Sequence, residues 1–180
     1  MKRRTVEGTL VTLEPISLAR VSEEYAGWFN DPEVTQHNSH GERVMTVADI
    51  ESYVRQVAES DTDAVFAIVA HDTGLHIGNI ALQKIDPKNN NAEYAIIIGN
   101  KAYWGRGVAL EASRLLLEFG FKDLGLHRVW LGTMADNEGM QRLAERLGCR
   151  EEGRRRQAMR KRGAYIDVVE YGILAEEFKQ

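Results

Sequence analysis

One stretch of the chain, residues 92–124, most constrains the fold. It begins with a short apolar run rich in β-branched residues, Ala92–Ile98, passes through a polar turn that contains glycines, and continues as an amphipathic helix from about Val108. A strand, a glycine loop and a helix N-terminus in this order leave main-chain N–H groups without partners at the positive end of the helix dipole. The pattern therefore predicts a site that binds an anion such as a phosphate.

The spacing of the glycines narrows the choice of anion. A dinucleotide fingerprint that opened at Gly105 and Gly107 would need a small residue three positions later, and Leu110 stands there. A Walker loop needs Gly-Lys-Ser or Gly-Lys-Thr, which the sequence does not contain. Taken alone, the loop is compatible with a glycine turn that only introduces a helix.

Composition excludes several classes of protein. The chain has 180 residues, of which 43% are hydrophobic and 28% charged, and this predicts a single domain over residues 1–180 with a core at about 6–175. A net charge of −4 gives no basic footprint for nucleic acid. The one cysteine, Cys149, excludes an internal disulfide and a Cys-based zinc site. Without a long apolar segment or a signal-peptide pattern, we expect no membrane partner and a cytoplasmic location.

Hydrophobic periodicity predicts the elements of the first half. A strand over Val6–Glu14 precedes a helix over Leu18–Phe29, which Asn30-Asp31-Pro32 ends. Thr46 and Asp49 form a capping-box pattern for a second helix that should end near Glu59. Three strands then follow as a meander, and their ranges are Ala64–His71, His76–Ile85 and Ala92–Ile98.

The second half predicts alternating helices and strands. The helix from Val108 should run to about Lys122, followed by a strand over His127–Met134. Another helix begins within Ala135–Met140 and stops at Gly148. The chain closes with a hairpin whose strands are Gly153–Lys161 and Tyr165–Leu174.

Several motifs resemble one family. Trp104-Gly105-Arg106-Gly107-Val108-Ala109 is similar to the pyrophosphate loop of the GNAT superfamily of acyl-CoA-dependent N-acetyltransferases, although Trp104 replaces the usual Gln or Arg. With Tyr103 before it, the loop resembles the branch of ribosomal-protein, spermidine and amino-sugar acetyltransferases. Leu124–Val129, Asn137-Glu138 and Leu143–Cys149 resemble later motifs of that family, and Trp28–Val34 resembles an earlier one. The resemblance covers about residues 10–175.

The resemblance implies an α+β fold, the GNAT acyl-CoA N-acyltransferase fold. In this fold a central mixed, mostly antiparallel sheet of about seven strands is flanked by about four helices. It implies acetyl-CoA as cosubstrate and no metal. The cofactor-binding residues that it implies are the end of one strand, the loop and a helix cap, namely Ile96, Ile97, Ile98, Trp104, Gly105, Arg106, Gly107, Val108, Ala109 and Asn137.

The implied reaction is the transfer of an acetyl group to a primary amine by direct attack in a ternary complex. An amide near Ile96 or Ile97 would donate to the thioester oxygen as it becomes an oxyanion. Glu93 is the candidate base for the amine proton, directly or through water, and Tyr103 is a candidate donor to the leaving thiolate. Lys101 is a further candidate for charge near the phosphates. Tyr94 alternates to the opposite face from Glu93.

The acceptor stays open among peptide N-termini, polyamines, amino sugars and antibiotics. The walls of its cleft should come from Val34–Thr46, which contains His37 and His40 as solvated residues, and from the turn Lys161–Tyr165. Ala144 stands where several members of the family carry a tyrosine, which supports a second hypothesis, a catalytically silent acyl-CoA-binding module. A nucleotide-binding module is a third alternative. The predicted assembly is a monomer or homodimer, and Cys149 is predicted to be a core residue.

Overall fold

A computed structural model describes residues 3–179 as one large sheet with helices on both of its faces. Within these residues there are eight strands and four α-helices. In chain order they are β1 (Val6–Glu7), β2 (Val11–Pro15), α1 (Glu23–Trp28), α2 (Val47–Glu59), β3 (Ala64–Ala70), β4 (His76–Asp86), β5 (Asn91–Ile98), α3 (Val108–Glu118), β6 (Arg128–Met134), α4 (Glu138–Arg146), β7 (Arg150–Lys161) and β8 (Ala164–Leu174).

The strands lie in the order β1-β2-β3-β4-β5-β6-β8-β7. All neighbours are antiparallel except β5 and β6, which run parallel. A parallel pair needs a crossover connection, and α3 supplies it. The predicted mixed, mostly antiparallel sheet is therefore confirmed, with eight strands instead of about seven.

Two hydrophobic layers hold the helices to the sheet. One layer packs α3 and α4 against one face, and the other packs α1 and α2 against the opposite face. Strand β3 serves both layers, because Phe66 and Ile68 belong to the first and Val65 and Ala67 to the second. All seven of its residues are buried, as the continuous apolar run predicts for a central strand.

The second helix begins where its cap predicts. The hydroxyl of Thr46 accepts from the N–H of Asp49, and the Asp49 carboxylate accepts from the N–H of Thr46 in return. This reciprocal pair satisfies donors that a helix N-terminus leaves open. It confirms the predicted capping box, and α2 ends at the predicted Glu59.

The prediction of a single strand over Val6–Glu14 is wrong. A turn at residues 8–10 folds the segment into the hairpin β1–β2, in which Val6 faces Leu13. The reason lies about a hundred residues away, in α3. The carboxylate of Glu111 accepts hydrogen bonds from three consecutive main-chain N–H groups, those of residues 9–11, at 2.6–3.0 Å. This contact holds the turn against α3. The segment predicted as one strand therefore forms two, β1 and β2.

Two predicted helices also differ in their limits. The predicted helix over Leu18–Phe29 is broken into a short 3₁₀ turn and α1, because the hydroxyl of Ser22 accepts from the N–H of Tyr25 and starts a new helix. The predicted helix to Lys122 ends as an α-helix at Glu118 and continues as one wider π-helical turn, Phe119–Asp123. Within residues 3–179 no helix is long and apolar enough to span a lipid bilayer.

Candidate active site

The two parallel strands separate after a short paired segment. Asn91–Glu93 of β5 pairs with Arg128–Trp130 of β6, and the pairing stops there. Ala95, Ile96 and Ile97 remain paired with β4 on their other side. The open edge of β5 therefore borders a gap that continues to the loop before α3. A cavity of about 590 Å³ occupies this gap.

Hydrogen bonding on the β4 side shows which main-chain groups face the gap. The N–H of Gly99 donates to the carbonyl of Ile77 at 3.0 Å, so residue 99 is directed at β4. Hydrogen-bonding direction alternates along an antiparallel strand. The main-chain N–H and C=O groups of Ile97 therefore also face β4, while those of Ile96 and Ile98 face the gap. The Ile98 carbonyl is already occupied by the indole N–H of Trp104 at 2.8 Å. The N–H groups of Ile96 and Ile98 therefore both face the open cleft.

The loop before α3 presents unpartnered amides to the same gap. Gly105 and Gly107 have φ values of 73° and 82°, a region that glycine enters without strain. Within residues 3–179, no hydrogen bond is made by the N–H groups of Gly105, Gly107, Val108 or Ala109. The acid in the first helical turn, Glu111, is turned to the β1–β2 hairpin instead. Unpartnered amides at the positive end of a helix dipole have the geometry that the sequence predicts for an anion site.

Nine of the predicted site residues line the gap, and they are Ile96, Ile97, Ile98, Tyr103, Trp104, Gly105, Gly107, Ala109 and Asn137. The other three, Glu93, Arg106 and Val108, do not line it. Val108 has a buried side chain, so its contribution is limited to its main chain. Asn137 caps α4 by accepting from the N–H of Met140 at 3.1 Å, and its amide N–H₂ group is left for another partner.

Arg106 and Tyr103 share a carboxylate outside the gap. Arg106 Nη2 lies 2.9 Å from Asp72 Oδ2, and its guanidinium lies 4.6 Å from the centre of the Tyr103 ring. The Tyr103 hydroxyl donates to Asp72 Oδ1 at 2.8 Å and lies 2.7 Å from the hydroxyl of Thr73. These bonds, that of Tyr103 first, lower the pKa of Asp72. Tyr103 thus holds the glycine loop to the turn at Asp72. Because its hydroxyl is engaged there, these contacts do not favour the predicted role of proton donor to the thiolate.

Lys101 and Glu93 are also engaged in ion pairs. The Lys101 ammonium lies 2.8 Å from both Asp31 and Glu33, and these two acids raise its pKa to about 12. Lys101 therefore ties the loop to the turn after α1. Glu93 lies 2.6 Å from Lys84 at the closed end of the gap, beside the last paired residues of β5 and β6. It faces away from Tyr94, whose hydroxyl lies 2.6 Å from that of Ser113 under α3, as the alternation predicts.

Sequence reasoning missed one wall of the gap. It comes from a single face of α4, whose lining residues are Gly139, Met140, Arg142, Leu143 and Arg146. Their spacing of three and four residues places them on one side of a helix. That spacing is visible in the sequence, but the apolar members alone predict a core stripe. Arg146 adds positive charge to this wall, whereas Arg142 is paired with Glu138 at 3.0 Å.

A second cavity of about 590 Å³ lies between the sheet and α2. It shares Asn38, Ile96 and Ile97 with the gap, so the two spaces meet beside the free edge of β5. Aromatic rings form part of its lining, including Phe29, with His40 packed edge-on against it at 4.7 Å. A cosubstrate in the gap and an acceptor in this second cavity would therefore meet near Ile96.

The β7–β8 hairpin holds the loop that separates the two spaces. Lys161 is only 7% exposed, and its ammonium donates to the carbonyls of Asn38, at 2.8 Å, and His40. Arg162 donates to the carbonyl of Pro32 at 3.0 Å. The two segments predicted to form the walls of the acceptor cleft, residues 34–46 and 161–165, are thus in direct contact. Burial, followed by the charge of Lys161, lowers the pKa of His40.

Comparison with known proteins decides the family. The profile of the Acetyltransferase (GNAT) domain matches residues 11–150. The chain belongs to the GNAT acetyltransferase family. The Bacillus subtilis (strain 168) protein named "Putative ribosomal N-acetyltransferase YdaF" is 32% identical over 130 residues, which are 72% of this chain and 69% of YdaF. This GNAT chain is therefore an acetyl-CoA-dependent acetyltransferase, as predicted.

Solved structures of GNAT proteins have the same fold. A GCN5-related N-acetyltransferase from Brucella melitensis superimposes with a TM-score of 0.82 at 28% identity, covering 98% of this chain and 81% of that one. The spermidine N-acetyltransferase of Vibrio cholerae, in complex with CoA and spermine, gives a TM-score of 0.85 at 21% identity, covering 93% and 97%. The predicted fold is confirmed, whereas the roles of individual site residues stay predictions.

Two further sequence predictions concern Cys149 and Ala144. Burial raises the pKa of Cys149 to about 11, which keeps the thiol protonated at neutral pH and disfavours a role as nucleophile. Ala144 is fully buried on the core-facing side of α4. Within residues 3–179, no cluster of three or more His, Cys, Asp or Glu side chains is arranged to hold a metal ion.

Proposed function

We propose that this GNAT chain transfers the acetyl group of acetyl-CoA directly to a primary amine of a small molecule or a peptide. One observation carries the proposal. The open edge of β5 lies beside a glycine loop with unpartnered amides, and at Ile96 the gap meets a second cavity. Such an arrangement gives one space to an anionic donor and the other to an acceptor. We also keep the prediction that the whole chain is one domain.

The donor would be held mainly by main-chain groups. The N–H groups of residues 105–109 at the start of α3 would bind the diphosphate, supported by the helix dipole. Arg146 on α4 adds positive charge on the facing wall. The pantetheine chain would lie along the open edge of β5 as an added strand, and the free amide of Asn137 would bind one of its polar groups.

The chemistry would occur where the two spaces meet. The N–H of Ile96 would donate to the thioester oxygen as the amine nitrogen attacks and negative charge develops there. A bond forms between nitrogen and the acetyl carbon, the carbon–sulfur bond breaks, and the thiolate takes up a proton from water. The amine must lose a proton to attack, since its ordinary pKa is about 10.4. We propose that Glu93 accepts that proton through water, because it shares a face of β5 with Ile97 in the acceptor cavity.

Release of free thiol tests the proposed function. Protein mixed with acetyl-CoA and a panel of primary amines should produce CoA thiol well above the rate of acetyl-CoA hydrolysis without acceptor. The reason is that both reactants can reach Ile96 from separate spaces. Tight CoA binding without thiol release for any acceptor would contradict the proposal and favour a silent acyl-CoA-binding module.

The variant Glu93→Gln in the same assay tests the proposed base. General-base catalysis contributes about a hundredfold or more to rate, so we expect a loss of at least about tenfold in kcat. CoA affinity should stay unchanged, because Glu93 does not line the gap. The variant Lys84→Met controls for loss of the ion pair, which both changes remove. Equal effects of the two variants would show that the pair is only structural.

A further inference from the structure

The cavity proposed for the acceptor has almost no free negative charge. Of its lining residues only Arg43 and Asp49 carry a formal charge at neutral pH, and they bind each other at 3.1 Å. The second oxygen of Asp49 accepts from the N–H and hydroxyl of Thr46 at 2.9 and 2.7 Å. These bonds, those of Thr46 first, lower the pKa of Asp49 to about 2. No lining carboxylate is therefore left for a ligand cation.

Two carboxylates near the cavity are also engaged. Asp63, whose charge adds to burial in raising the pKa of Tyr53, accepts from the hydroxyl of Ser60 at 2.7 Å and from the N–H of Lys84 at 3.2 Å. Glu93, at the closed end of β5, is paired with Lys84 at 2.6 Å. Behind the loop, the ammonium of Lys161 contacts only carbonyl groups, so its positive charge adds to the electrostatic potential near His40. A ligand with two or more ammonium groups would therefore find no unpaired carboxylate among the lining residues. Burying a charge without a partner is strongly unfavourable.

The remaining lining offers uncharged hydrogen-bonding groups and rings. These residues are Tyr25, Phe29, Asn38, Ser39, Ser52, Tyr53, Gln56, Asn79 and Gln83. Side chains of this kind bind hydroxyl and carbonyl groups. The lining thus matches a ligand whose polar groups, apart from one amine, are neutral.

Within residues 3–179, two buried polar atoms in this wall make no hydrogen bond of normal geometry, although burial, which raises the pKa of Tyr25, is partly offset there by the neighbouring side chain of Asn79. They are the Tyr25 hydroxyl and Asn79 Nδ2, on residues that are 1% and 8% exposed. Asn79 Oδ1 is bound to the ring of His76 at 3.0 Å, which directs its N–H₂ group elsewhere. Both atoms are covered and neutral, so this part of the wall adds polarity to the cavity without adding negative charge.

We propose that the acceptor is a small monoamine that bears uncharged hydroxyl or carbonyl groups, and that polyamines are poor substrates. The proposal rests on the proposed function, since it concerns the acceptor of that reaction. The primary amine is directed at Ile96, and the neutral oxygens are bound by the amide and hydroxyl side chains around Asn79. An amino sugar and the N-terminus of a neutral peptide share this chemistry.

Comparison of three acceptors tests the proposal directly. Glucosamine, the amide of tri-alanine and spermidine are assayed by CoA thiol release at equal concentrations. We expect kcat/KM for glucosamine or for the tri-alanine amide to exceed that for spermidine by about tenfold. The better of these two monoamines shows whether the neutral oxygens belong to a sugar or to a peptide. A value for spermidine equal to or above both would overturn the proposal. Absence of thiol with every acceptor would contradict the proposed function instead.

A single added carboxylate gives an independent test. Gln56 is an exposed residue of α2 that lines the cavity, so Gln56→Glu changes charge with little change of shape. We expect kcat/KM for spermidine to rise about fivefold relative to that for the better monoamine. Gln157→Glu on the outer strand β7 is the matched control and should leave the ratio unchanged. A ratio that Gln56→Glu also leaves unchanged would contradict the proposed role of charge.

Discussion

Replacing Gly107 with aspartate should weaken CoA binding by about a hundredfold relative to replacing it with asparagine. The two side chains have nearly the same shape, and both tolerate positive φ better than other non-glycine residues. A Cβ at this position would meet only Leu10, at 3.9 Å, so there is room for either side chain. The strain of about 1–2 kcal/mol at a φ of 82° is common to both variants.

Charge is therefore the main difference between these variants. A carboxylate beside the unpartnered amides of residues 107–109 would repel a diphosphate. At 4 Å and an effective dielectric constant of about 20, two unit charges interact by about 4 kcal/mol. Salt screens part of this energy, and the remaining 2.7 kcal/mol or so corresponds to about a hundredfold in affinity.

Isothermal titration with CoA measures the effect, and thermal unfolding without CoA serves as control. The two variants should unfold at similar temperatures. The difference in CoA affinity should shrink as salt is raised, because screening weakens the repulsion. Equal affinities of Gly107→Asp and Gly107→Asn at low salt would show that the diphosphate is not held at this helix N-terminus.

Replacing Lys161 with methionine should raise the KM for the acceptor by about tenfold or more. The ammonium of Lys161 is the donor to the carbonyls of Asn38 and His40, and each lost bond to a charged group is worth about 1.5–3 kcal/mol. Methionine fills nearly the same volume but donates nothing. The loop between the two cavities would then lose its anchor, while the anion site at residues 105–109 would keep its structure.

The contrast between two binding constants distinguishes this role from general destabilisation. We expect the acceptor KM to rise while CoA affinity changes by less than about twofold, since the diphosphate would be held by the loop at residues 105–109 and Lys161 binds a different loop. Arg156→Met, an exposed change on the same strand, is the matched control, and Lys161→Arg should restore much of the loss. A parallel loss of CoA affinity in Lys161→Met would contradict a local positioning role.

Local sequence signals predicted the parts of this fold that depend on neighbouring residues. The capping box at Thr46, the buried run of β3 and the order of strand, glycine loop and helix all involve residues close in the chain. The β1–β2 turn was missed because its partner, Glu111, lies about a hundred residues away. The pattern of hydrophobic residues within Val6–Glu14 does not indicate a contact with a residue so distant in the chain.

In the candidate site, too, features set by neighbouring residues were predictable and features set by distant contacts were not. The glycine loop predicted an anion site, and the family resemblance implied nine of the residues that line the gap. The partners of the charged and phenolic groups were not predictable, because Tyr103 and Arg106 both bind Asp72 from a distant turn. The cavity proposed for the acceptor combines α1, α2, the sheet and the loop around His40, so its lining depends on tertiary packing that local sequence patterns do not predict.

The most direct test of the central claim is the response of individual main-chain amides to CoA. In ¹⁵N-labelled protein titrated with CoA, the signals of Gly105, Gly107, Val108 and Ala109 should shift most, together with that of Ile96. The side-chain amides of Gln56 and Gln83 should shift little until an acceptor is added. Shifts confined to other regions, with these loop and strand amides unchanged at saturating CoA, would contradict the account.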